Sequence, residues 1–126
     1  MKFITLLVFF LSVLSCSNQE PTYGYKEVEV DEIMENMDEP NWLLSRMARA
    51  GHMKDSDWLA QLNILKEESD KLVLINHPDD FFQDEAERVA DLIGDFINNL
   101  PASKDERVAQ WKKVKHSCEV CHEVYE

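Results

Sequence analysis

The sequence predicts an all-α protein folded as an up-down-up-down four-helix bundle. Three observations predict it. Apolar residues recur at spacings of three and four through four stretches, short loop signals separate those stretches, and no segment alternates apolar with polar residues as a strand would. Short connections make successive helices antiparallel neighbours, and each helix would be marginal alone, so burial of the apolar stripes must hold them together.

The first helix is expected from about residue 30, with Val30, Ile33, Met34, Met37, Leu44 and Met47 on one face. Pro40 removes one backbone bond to Asn36 and should kink or split it. Gly51 and the polar run over residues 52–57 mark a stop. Ser56 or Asp57 is then placed to cap a second helix with the stripe Trp58, Leu59, Leu62, Leu65, Ser69 and Leu72. Asn76-His77-Pro78-Asp79-Asp80 reads as a turn, in which Pro78 holds His77 out of helical geometry and either aspartate can cap the next helix. That third helix, over about residues 81–99, turns Phe82, Ala86, Val89, Ile93, Phe96 and Leu100 inward. Pro101-Ala102-Ser103 separates it from the fourth, where Ser103 and Glu106 have capping-box spacing. The stripe there is Val108, Trp111, Val114 or Lys115, Cys118, His122 and Tyr125.

A chain of 126 residues suits one domain. Its formal charge of −12 argues against binding nucleic acid or anionic lipid and favours either simple solubility or a basic protein partner. The start stands apart from the fold. Residues 3–14 form an apolar run interrupted only by Thr5 and Ser12, roughly 18 Å as a helix against a bilayer core of about 30 Å. Residues 1–15 therefore read as a secretory signal peptide. The run ends in Val13-Leu14-Ser15-Cys16, which resembles the lipobox of bacterial lipoproteins, so Cys16 is expected to carry lipid and to anchor the chain to a membrane. Residues 16–29 would be a polar tether and residues 30–126 the folded domain, in the periplasm or cell envelope.

The chemistry lies in Cys118-Glu119-Val120-Cys121-His122, a C-x-x-C-H string. Two thiols three residues apart on a helix can each add across one vinyl group of a haem, and the next residue presents an imidazole to the iron. Other uses of the pair fit less well. A redox C-x-x-C usually opens a helix in a βαβ unit, a zinc site wants four ligands, and a structural disulfide has no need of His122. The motif thus points to one covalent haem c, held by Cys118 and Cys121 with His122 as axial ligand. In the expected topology both chain ends lie at one pole, and the haem fills that pole of the bundle.

The C-terminal C-x-x-C-H-x-x-Tyr ending at Tyr125, on the last of four helices, resembles the cytochrome c-prime superfamily. So does Ile33-Met34-Glu35-Asn36-Met37-Asp38-Glu39-Pro40, with a methionine six residues before a proline, and Trp58, Leu62 and Leu65 match the second helix of small bacterial relatives. The resemblance covers about residues 30–126. It departs at Glu126, where an arginine is usual, and in the shortness of the chain. It implies a monohaem cytochrome, and it raises a homodimer formed through the first two helices.

The iron's sixth ligand decides between functions. Met34 and Met37 share a face; the resemblance favours Met34, and a thioether opposite His122 favours electron transfer over gas binding. Both methionines could instead fill core gaps. His77 is a rival at the same pole, whereas His52 lies in the opposite turn and His116 on another face. Trp58, Phe81, Phe82, Trp111 and Tyr125 are candidates for haem packing. Among Arg46, Arg49, Lys112 and Lys115, Lys115 is best placed to pair with a haem propionate. The expectation is a single-electron carrier cycling between Fe(III) and Fe(II) and not an enzyme, docking a basic redox partner. The alternatives are a five-coordinate protein binding nitric oxide or carbon monoxide, and a structural lipoprotein whose cysteines form a disulfide.

Overall fold

Pro40 does not divide the first apolar stretch: helix α1 runs unbroken over Glu27–Ala50. The computed structural model describes residues 27–125, and these form α1, α2 (Asp55–Val73), α3 (Asp80–Asn98) and α4 (Lys104–Tyr125), with no strand among them. The expected signal peptide (residues 1–15), Cys16 and residues 17–26 of the tether lie outside the described residues. Residues 27–29, expected in the tether, open α1. No described helix is long and apolar enough to cross a membrane.

Three of the helix boundaries are set by local contacts. Gly51 takes φ +67°, which lets its N–H donate to Ala48 O at 3.3 Å and the His52 N–H donate to Met47 O at 3.0 Å, a Schellman closure of α1. Asp79 caps α3 as expected, its carboxylate accepting from the Phe81 N–H at 3.0 Å. Ser103 Oγ accepts from the Glu106 N–H at 3.3 Å and donates to the Glu106 carboxylate at 2.9 Å, a variant of the capping box.

The start of α2 corrects the expectation for Ser56 and Asp57. The helix begins at Asp55, with Lys54 in the capping position and no side-chain cap. The nearby carboxylates serve distant partners instead: Asp57 meets His52 Nε2 at 2.7 Å, and Asp55 meets Arg107 Nη2 at 2.8 Å.

The four helices pack as a ring, α1 on α2, α2 on α3, α3 on α4 and α4 on α1, with the α4–α1 seam the sparsest. The main core joins Leu44, Trp58, Leu62, Leu65, Val89, Ile93, Phe96, Trp111 and Val114. Each such side chain taken from water stabilises the fold by roughly 1.5–3 kcal/mol. A second cluster of Ile33, Leu72, Ile75, Phe82 and Ala86 fills the pole that holds the α2–α3 turn. Arg107 locks the opposite pole. It is only 2% exposed, donates to Pro101 O through Nε (3.0 Å) and Nη2 (2.6 Å) and to Met53 O through Nη1 (3.2 Å), and lies over the Trp58 ring. One buried guanidinium thereby ties the α1–α2 loop to the α3–α4 loop.

Candidate functional site

Residues at i, i+3 and i+4 share one face of a helix, so Cys118, Cys121 and His122 project together from the last turns of α4. That face opens on a cleft of about 520 Å³ at the α4–α1 seam, within the roughly 300–1,000 Å³ typical of cofactor sites. From α4, Trp111, Lys115, Glu119 and Glu123 also line it. Across the seam α1 contributes Met34, Met37, Asp38 and Asn41. Leu65 and Leu72 of α2, with Phe82, Glu85, Ala86, Val89 and Ile93 of α3, make the inner wall. The Trp111 indole N–H closes the seam beneath by donating to Ser45 Oγ of α1 at 3.2 Å. The walls are apolar and most charged groups sit at the lip.

The thiols are free and partly buried. Burial pushes Cys118 up to about 11, with the neighbouring Cys121 adding to the shift. Burial, and then the negative field of Glu85, raise Cys121 as well. Both are therefore protonated at neutral pH. A pair working by thiol–disulfide exchange needs the opposite, a thiolate stabilised at a helix N-terminus or by a cation. Near the C-terminus of α4 the helix dipole disfavours the thiolate further.

The structure brings together most of the residues read from the sequence. Cys118, Cys121, His122, Met34, Met37, Phe82, Trp111 and Lys115 all line the one cleft. Met34 and Met37 are half-buried, and Met37 packs against both clusters. Tyr125 lies outside the lining. Its hydroxyl donates to Asp79 Oδ2 at 2.5 Å and its ring meets Phe82 edge-on at 5.5 Å, pinning the end of α4 to the start of α3. Asp79 is held below the usual carboxylate range, first by this bond and then by the Phe81 N–H. His122 and Tyr125, expected inward along the stripe, are exposed at this open end.

Other candidates fall elsewhere. His77 is at the expected pole but outside the lining; its ring stacks on Phe82 with centroids 4.3 Å apart, and Nδ1 accepts from the Asp79 N–H at 3.0 Å. Trp58 is core near the far pole, its indole N–H donating to His52 O at 2.8 Å, and Phe81 is exposed. His52 lies in the opposite loop, and His116 is exposed beside Glu119. Arg46, Arg49 and Lys112 do not line the cleft.

Sequence reading missed Asp38, Asn41 and Glu85 as lining residues. Glu85 left a signal: three residues beyond Phe82 and four before Val89, it stands on the inward stripe of α3. Among the described residues no three His, Cys, Asp or Glu side chains gather as a metal cluster, and a tetrahedral zinc centre needs four ligands. No protein-family model, curated protein or solved structure matches the chain.

Proposed function

We propose that the chain is a monohaem c-type cytochrome that carries single electrons in the cell envelope. One observation carries the reading: Cys118, Cys121 and His122 open together on a cofactor-sized apolar cleft whose facing wall bears Met34 and Met37. Haem c bound there would supply a one-electron Fe(III)/Fe(II) couple. The residues present fit that group. Cys118 and Cys121 are free thiols for two thioether links, and His122 offers an imidazole from the same helix. Met34, or Met37 one turn on, offers a thioether from across the seam. Leu65, Leu72, Ala86 and Val89 exclude water, and Lys115 is available to a propionate. The acidic surface steers a basic redox partner, with an on-rate that falls as salt rises. A lipid on Cys16 would hold the domain at a membrane.

The test is the absorption spectrum of the protein made with a working haem-attachment pathway, oxidised and then reduced with dithionite. Sharp low-spin reduced bands with a weak far-red sulfur-to-iron band in the oxidised form establish the His/Met carrier. Met34→Ala should then abolish the far-red band and let carbon monoxide bind promptly; if Met37→Ala does so instead, Met37 is the ligand. Broad high-spin bands in the wild type would make the iron five-coordinate and a gas its ligand. A colourless product would refute the haem reading.

A further inference from the structure

Among the described residues, Glu85 is the one charged side chain of the cleft's inner wall. It is 3% exposed, flanked by buried Phe82, Ala86 and Val89. Its Oε1 lies 3.4 Å from Arg88 Nη2, and Arg88 is itself 62% exposed; Oε2 is buried with no hydrogen-bond partner among the described residues. A carboxylate so placed is costly, and an apolar residue of similar size would fill the position without desolvation. What the carboxylate brings is a negative charge inside a site of low dielectric, where charges act most strongly on one another. The acids of α4 that also line the cleft, Glu119 and Glu123, are exposed, and solvent screens them. Lys115 is the half-buried cation of the opposite wall.

We infer that Glu85 sets the reduction potential of this site, its buried charge favouring the ferric state over the ferrous. The inference rests on the haem reading. With haem bound, reduction would add one electron from a donor protein to the iron, no bond to Glu85 would form or break, and the positive charge held in the cleft would fall by one. Removing Glu85's charge must therefore ease reduction. Removing Arg88's charge, which partly offsets it, must hinder reduction, though less because Arg88 is mostly in solvent.

The experiment is a spectroelectrochemical titration of the holoprotein and three variants, each with its covalent haem content measured. In Glu85→Gln the ferrous:ferric ratio at fixed potential should rise about ten-fold, a shift of about 59 mV for one electron. In Arg88→Gln it should fall by about two-fold. Glu87→Gln, which removes a charge from the exposed face of the same helix, should change it less than two-fold. A haem-loaded Glu85→Gln protein within two-fold of the wild type overturns the inference and leaves the cytochrome reading standing. So do shifts of the same sign in Glu85→Gln and Arg88→Gln, which would mark a packing effect rather than a charge. A wild type without haem overturns both.

Discussion

Arg107→Met tests how the pole opposite the cleft is held. The guanidinium makes three bonds to two backbone carbonyls, those of Pro101 and Met53, and one to Asp55. Bonds from a charged donor contribute about 1.5 kcal/mol or more each, so the two carbonyls together account for about 3 kcal/mol. The Trp58 contact at 5.6 Å adds about 0.5–1 kcal/mol. Asp55 is 68% exposed, so its ion pair adds less than about 1 kcal/mol. Methionine recovers part of this by burying apolar surface, leaving a net loss of about 2–4 kcal/mol. Urea unfolding followed by circular dichroism reads it: with a slope of about 1–2 kcal/mol per molar, the midpoint should fall by about 2 M. A loss below about 1 kcal/mol would refute the argument, because buried charge would then have cost as much as its bonds returned. An equal loss in Asp55→Asn would also refute it, by making the ion pair rather than the carbonyl bonds the source.

Gly51→Ala places a Cβ at φ +67° and 2.9 Å from the flexible Lys104 Cε, so backbone strain dominates; it should cost about 1–2 kcal/mol in the same assay. In haem-free protein carrying Cys16→Ser, iodoacetamide should alkylate Cys118 slowly at pH 8 and progressively faster up to about pH 11, as read by mass spectrometry; rapid labelling at neutral pH would contradict a thiol raised by burial. The lowered Asp79 contributes stability that is present above its unfolded value and lost as pH falls through the lower folded one. The difference in melting temperature between wild type and Asp79→Asn should therefore be flat above about pH 5 and shrink steadily below about pH 4.

The helices and their inward stripes were legible because each carries a regular apolar repeat bounded by residues of strong local preference: Gly51, Pro78 with Asp79, and Ser103. The start of α2 was not, because the fates of Asp55 and Asp57 are decided by Arg107 and His52, partners that local spacing does not reveal. Arg107 itself reads as surface charge in sequence, and only the meeting of two loops makes it core. Cys118, Cys121 and His122 stood out by spacing alone, and Met34 and Met37 by their shared face. The cleft that unites them is a property of the α4–α1 seam, which no single helix encodes. Glu85 was passed over because a glutamate on a helix usually faces water, although its register pointed inward.

The Arg107 lock ties the loops at one end of the bundle, and the cleft has its mouth at the other, along the sparse α4–α1 seam. Spreading the mouth disturbs the Tyr125–Asp79 bond and exposed side chains of the last turn of α4, whereas Leu62, Ile93, Phe96 and Val114 can stay packed. Amides near the end of α4 should thus exchange with solvent through small local openings, and those between Arg107 and Val114 only through unfolding of the whole domain. On the haem reading proposed above, a flat, rigid cofactor would enter between α1 and α4 with that core intact and would bridge the sparse seam.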